Sequence, residues 1–149
     1  MTDHQLLAPA LAEARNGLAE GGIPIGAALV HEGTVLGTGR NRRVQLGSAT
    51  RHGETDCLEN IGRLPASVYA RSTMVTTLSP CDMCTGAILL YGIPRVVIGE
   101  NRNFVGGEDL LRQRGVEVVV LDDADCVEMM AGFIRDQPTL WNEDIGVED

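Results

Sequence analysis

Residues 72–99 read STMVTTLSPCDMCTGAILLYGIPRVVIG, and the way they divide decides the fold. The stretch 72–79 is rich in β-branched residues and predicts a strand. Pro80 comes next, and proline is at home where a helix starts, because the N–H it lacks would be unpaired there anyway. The apolar residues behind it run to Gly92, a stop signal. RVVIG at 95–99 is then a short apolar run, and its length and flanks predict a buried strand.

Upstream, leucine and alanine recur at helical spacing through residues 4–20 (Leu7, Leu11, Ala14, Leu18), and Gly21-Gly22 end that helix. IGAALVHEGTVLGTG predicts a hairpin: strand 25–31, a turn at Glu32-Gly33, strand 34–39. A polar stretch, RNRRVQLGSAT, leads to HGETDCLENIGRL, which predicts a helix opened by His52 and capped by Ser48 or Thr50. Downstream, VEVVVL (116–121) predicts another strand, 123–136 another helix, and QPTLWNEDIGVED a short tail. Strand and helix alternate after residue 50, which implies an α/β sheet with helices on both faces. With no repeat, linker or low-complexity tract, residues 1–149 are expected to form a single domain.

Composition narrows the function. The chain has 149 residues, 44% hydrophobic, and a formal net charge of −9. All 12 basic residues are arginine, so a Schiff-base lysine is excluded. The acidic balance tells against binding a phosphate backbone. No apolar run reaches the roughly 20 residues that span a bilayer, and the N-terminus does not read as a signal peptide, so a cytoplasmic location is expected. In that compartment a C-x-x-C pair binds metal or does redox work more often than it forms a structural disulfide.

Cys81 and Cys84 are such a pair, and a spacing of three puts both sulfurs on one face of a first helical turn. His52 stands 29 residues before Cys81, at the start of another predicted helix. One nitrogen and two sulfurs suit zinc, with a fourth position left for water. Partial positive charge at two helix N-termini would favour thiolate there. Two thiolates offset much of the zinc's charge, so a base is needed to take the water's proton. Glu54 is placed to be that base without being a ligand. A structural zinc module and a dithiol redox pair are the alternatives, and neither gives a reason for Glu54. H-x-E followed by P-C-x-x-C is the known signature of zinc deaminases.

Beyond the motif, EGGIPIGAALV, GSATRHGETDCLENIGRL, TTLSPCDMCTGAILLYGIPRVVIGENRNF, RGVEVVVLDD and WNEDIG resemble the cytidine deaminase superfamily, and within it the fungal-type cytosine deaminases. The resemblance covers most of the chain from residue 20 onward, tail included. It implies a three-layer α/β/α sandwich around a five-stranded mixed sheet, one zinc per subunit, a homodimer and a role in pyrimidine salvage. It implies hydrolysis of cytosine to uracil and ammonia, with Glu54 as the proton carrier and His52, Cys81 and Cys84 on zinc. The alternatives are another aminated ring (isocytosine, guanine, a pterin, creatinine, a nucleoside), a tRNA adenosine, or a zinc protein that only binds.

The same resemblance assigns substrate contacts. Asn41 matches a side-chain amide on the pyrimidine edge, and Asp144 a carboxylate that accepts from the exocyclic amine. Phe104, Trp141 and Ile25 match walls around the base. Gly53 and Cys81 match backbone N–H contacts, and Ser79 a carbonyl contact. Three positions depart from the fungal pattern. Asp56 and Cys57 stand where small hydroxyl residues are expected, and Asn142 where an aromatic is. Cys57 is expected to be a small buried hydrophobe. Asp56, one turn after His52, is expected either to orient that ring through its second nitrogen or to face solvent.

Overall fold

The structure is a computed structural model that describes residues 1–148. Five strands form one sheet in the order β2-β1-β3-β4-β5. They are β1 (Gly26–His31), β2 (Thr34–Arg40), β3 (Ser72–Leu78), β4 (Arg95–Glu100) and β5 (Glu117–Val120). β1 runs antiparallel to both β2 and β3, while β3, β4 and β5 run parallel. The sheet is therefore mixed. Helix α1 (Asp3–Ala19) precedes β1, and α3 (Gly53–Ile61) and the short α4 (Ala66–Tyr69) precede β3. Helix α5 (Asp82–Leu90) joins β3 to β4, α6 (Glu108–Gln113) joins β4 to β5, and α7 (Ala124–Asp136) follows.

Strand alternation sorts side chains to the two faces. Ala27, Leu29, Met74, Val96 and Ile98 pack with Cys57, Ile88 and Leu111 from α3, α5 and α6. Ala28, Val30, Val75 and Val97 pack with Leu6, Leu7, Ala10 and Leu11 of α1 and Cys126 of α7. Two helical layers thus cover the sheet, which is the expected sandwich. A third cluster (Ile23, Ile25, Leu78, Met130, Phe133, Trp141) closes the end of the sheet where β3 finishes and β1 begins. Functional sites of parallel sheets form at that end.

Close approach depends on two glycines. A Cβ on Gly39 would lie 2.2 Å from the Cys57 nitrogen, so only glycine lets α3 sit this deep on β2. A Cβ on Gly106 would lie 1.8 Å from the Pro80 oxygen, so the loop after β4 is pressed against the start of α5.

Several expectations need correction. His52 itself, in extended conformation, is the N-cap of α3. Ser48 instead accepts from the Thr50 and Arg51 amides, and the Thr50 carbonyl accepts from Thr55. Pro80, expected at the start of α5, stands just before its N-cap, Cys81. The polar stretch contains one helical turn, α2 (Arg43–Leu46). The segment expected as a tail forms helix α8 (Pro138–Asp144), with proline in its first turn and Trp141 and Asp144 buried. Among the described residues no helix is long and apolar enough to cross a membrane.

Candidate active site

The N-caps of α3 and α5 meet at the closed end of the sheet. Cys81 Sγ lies 3.3 Å from His52 Nδ1. The donor atoms of His52, Cys81 and Cys84 all fall within 4.8 Å of one another. Zinc bonds of about 2.0–2.3 Å at tetrahedral angles hold donors roughly 3.5–4 Å apart, so this set fits the ion. The three donors shift one another's protonation. Cys81 is held down to about 4 by the hydrogen bond from Cys84, which outweighs its burial, and His52 adds to the effect. Cys84 is pushed up by that same bond and by burial. Burial opposes charge on His52, but Asp144 and Cys81 hold the ring up to about 10.

A small cavity adjoins this cluster. Ile25, His52, Glu54, Ser79, Cys81, Phe104, Trp141 and Asp144 line it, together with Leu78 and Ile145. Eight residues singled out from the sequence therefore share one small chamber. Leu78 and Ile145 were missed, although both lie inside quoted motifs, where an aliphatic beside a strand end or a buried helix end is the only signal. Cys84 is fully buried beneath the chamber, at the third position of α5. Gly53 is the first residue of α3, between His52 and Glu54. Phe104 and Trp141 meet edge to face, with centroids 5.7 Å apart, and form one wall.

Glu54 is buried, and burial first, with the charge of Cys81 second, pushes it up to about 7. A carboxyl in that range can take a proton and give it back near neutrality.

Asp144 is buried at the end of α8, and its Oδ2 accepts from Asn41 Nδ2 at 3.1 Å. Its Oδ1 lies 3.1 Å from His52 Nε2. The same oxygen lies 4.0 Å from Arg43 Nη1. Asn41 is fully buried, and its Oδ1 accepts from the Arg43 amide at 3.0 Å. Asn41 and Asp144 are thus held together across 103 residues of chain.

The second nitrogen of His52 faces Asp144, not Asp56. Asp56 is fully buried, so it does not face solvent either. Its carboxylate is occupied by Arg42, Arg51, the Arg40 amide and Asn60. Cys57 is fully buried in the core, as expected.

Ser79 Oγ donates to Glu108 Oε2 at 2.6 Å and accepts from the Gly106 amide at 2.9 Å. Glu100 accepts from the Arg102 and Asn103 amides. These two buried carboxylates fix the loop that carries Phe104.

Residues 1–100 match the family model for the cytidine and deoxycytidylate deaminase zinc-binding region. The chain is 56% identical to the cytosine deaminase of Candida albicans over 145 residues, 97% of each chain. It is 31% identical to a tRNA-specific adenosine deaminase of Streptococcus pyogenes, covering 85% of this chain and 86% of that one. A solved structure from work on tRNA:A34 deaminases superposes with a TM-score of 0.70 at 26% identity, over 85% of this chain and 99% of that one. A guanine deaminase of Nitrosomonas europaea shares the fold, with a TM-score of 0.69 at 23% identity, over 86% and 82%. A zinc-type donor cluster beside a buried carboxylate, on a sheet of this topology and with these relatives, leads to one conclusion: the chain is a zinc-dependent deaminase and belongs to the cytidine and deoxycytidylate deaminase family.

Proposed function

We propose that the chain works as one deaminase domain that hydrolyses cytosine to uracil and ammonia. The observation that supports this most directly is Asp144, a buried carboxylate on the wall of a small chamber beside Glu54. Each carboxylate oxygen can accept more than one hydrogen bond, and the exocyclic amine of a base is a donor that Asp144 can receive. The relation to the Candida albicans cytosine deaminase points to the same ring.

Each residue then has a task. His52, Cys81 and Cys84 hold zinc, which when bound supplies the Lewis acidity that activates a water molecule. Glu54 takes a proton from the attacking water and delivers it to the ring nitrogen. Oxygen bonds to the carbon bearing the amine, Glu54 carries the second proton to that amine, and the C–N bond breaks to release ammonia. Asp144 accepts from the amine and steadies the His52 ring. Asn41, held by Asp144, presents an amide to the pyrimidine edge, where the Gly53 and Cys81 amides and the Ser79 carbonyl add backbone contacts. Phe104, Trp141 and Ile25 enclose the ring and keep water out. The chamber is small and walled by two aromatic rings, which favours a free base over a nucleoside.

The test is kcat/KM for cytosine, cytidine, guanine and a tRNA anticodon stem-loop in one buffer. Cytosine is expected to lead by at least roughly tenfold, and its turnover to be insensitive to salt. A lead for the stem-loop, with rates falling steeply in salt, would replace this reading with that of the tRNA relatives.

We further propose a cytoplasmic homodimer serving pyrimidine salvage. Leu90 and Tyr91, 75% and 43% exposed at the end of α5, lie on a groove with Leu58, Leu64 and Tyr69. Apolar surface of this kind marks an interface, and a second copy is the expected occupant. Leu90→Glu is expected to shift the mass in light scattering from two chains to one; an unchanged mass would place the interface elsewhere.

A further inference from the structure

The polar stretch between β2 and α3 carries Asn41 at one end and His52 at the other. The neck of this excursion is closed by the Arg42 amide, which donates to the Arg51 carbonyl at 2.9 Å. One carboxylate spans the same neck. Asp56 Oδ1 accepts from Arg51 Nε at 2.7 Å and Arg42 Nε at 3.1 Å. Asp56 Oδ2 accepts from the Arg40 amide at 2.9 Å and from Asn60 Nδ2 at 3.2 Å. Four separate N–H donors saturate what a carboxylate can accept. Asn60 ties the cluster back to β2 through the Thr38 carbonyl at 3.0 Å, and to Arg51 through its own Oδ1 at 3.0 Å.

The placement has a specific consequence. Asn41 is flanked by Arg40 and Arg42, and both are bound to Asp56. His52 follows Arg51, which is also bound to Asp56, and the Asp56 amide donates to the His52 carbonyl at 2.8 Å. Asp56 touches neither the chamber nor the donor cluster. The Asp56 side chain is fully buried, while those of Arg42 and Arg51 are 25% and 30% exposed. A buried carboxylate between two half-buried guanidiniums is a poor source of stability, since apolar replacements of similar size often do as well. What it supplies is direction: two guanidinium Nε–H groups converge on one carboxylate and set the distance between Arg42 and Arg51.

We propose that Asp56 is a positioning residue, which sets the register between Asn41 and His52 by clamping Arg42 and Arg51. The proposal rests on the reading of the chain as a cytosine deaminase in which His52 holds zinc and Asn41 meets the ring.

The test compares Asp56→Asn with a triple variant, Asp56→Asn, Arg42→Met and Arg51→Met, in which no guanidinium is left unpaired. Three quantities are read: the midpoint of thermal unfolding, the half-time of zinc loss to a colorimetric chelator, and KM against kcat for cytosine. Asp56→Asn is expected to unfold at lower temperature, to lose zinc about tenfold faster and to raise KM about tenfold, the usual scale for residues behind a metal ligand. The triple variant is expected to recover the thermal midpoint while zinc loss and KM stay shifted. If zinc loss and KM return with the midpoint, the cluster is packing and the proposal is overturned. It is equally overturned if Asp56→Asn leaves both at their wild-type values. Should the triple variant not fold, Asp56→Asn measured well below its own midpoint decides alone. Should Asp56→Asn not fold, Arg51→Met takes its place with the same outcomes. Wild-type protein that leaves cytosine untouched would remove the functional reading, while the chelator comparison would still test Asp56.

Discussion

Glu54→Gln folds, keeps its zinc and loses turnover by about 10²–10⁴-fold or more, the range expected when a general acid–base group is removed. That is ~3–5 kcal/mol of transition-state stabilisation. The amide is nearly isosteric, so the buried position on α3 can hold it without a cavity. It cannot pick up the water's proton or hand one to the departing amine. Metal content stands unchanged, because the donor cluster is His52, Cys81 and Cys84 without Glu54. KM changes far less than kcat, since the ring is still held by other groups. Steady-state kinetics with metal analysis on the same preparation check this. Turnover at the wild-type rate would remove Glu54 from the mechanism.

Cys84→Ala abolishes activity by a different route. Wild-type protein is expected to hold about one zinc per chain, and the variant well below that after dialysis. Two remaining donors, His52 and Cys81, cannot supply the three protein bonds of an open zinc site. Cys84 is fully buried under the chamber, so water cannot take its place freely. The loss is one of stability too, because zinc that binds only the folded chain raises its unfolding temperature by mass action. Added zinc therefore lifts the thermal midpoint of stripped wild-type protein but not that of the variant. Full zinc occupancy in active Cys84→Ala would show that the ion is held elsewhere.

The contrast between these variants follows the chain's own logic, and much of that logic could be read from residues alone. The strand–helix–strand parse of 72–99 held because Pro80 and Gly92 punctuate it and the apolar runs have strand length. His52, Glu54, Cys81 and Cys84 were legible because their chemistry is scarce and their spacing places them on two helix starts. Helix α8 was not. It is seven residues long, and it is held by Trp141 packing in the third cluster, not by any periodicity of its own. The bond between Asn41 and Asp144 crosses 103 residues, and no local pattern carries such a pairing. Asp56 misled for a related reason. Its four-residue offset from His52 suggests a shared helix face, but His52 is the cap, and its ring leaves the helix toward Asp144. The arginines that occupy Asp56 lie in a segment without regular periodicity, so their convergence appears only in three dimensions.

The chamber is assembled from two consecutive portions of the chain. The donor cluster and Glu54 fall within residues 1–100, the portion that matches the zinc-binding family model. The aromatic wall and the carboxylate beside His52 come from beyond it, on the loop after β4 and on α8. The donor cluster thus lies in one length of sequence, while the chamber wall is drawn from both, Ile25 and Ser79 from the first and Phe104, Trp141 and Asp144 from the second. Substitutions at Phe104, Trp141 or Asp144 would alter that wall without replacing any of the three donors. Two members of the family named for different substrates, a cytosine deaminase and a tRNA-specific adenosine deaminase, fit a scaffold whose wall varies around a shared donor cluster.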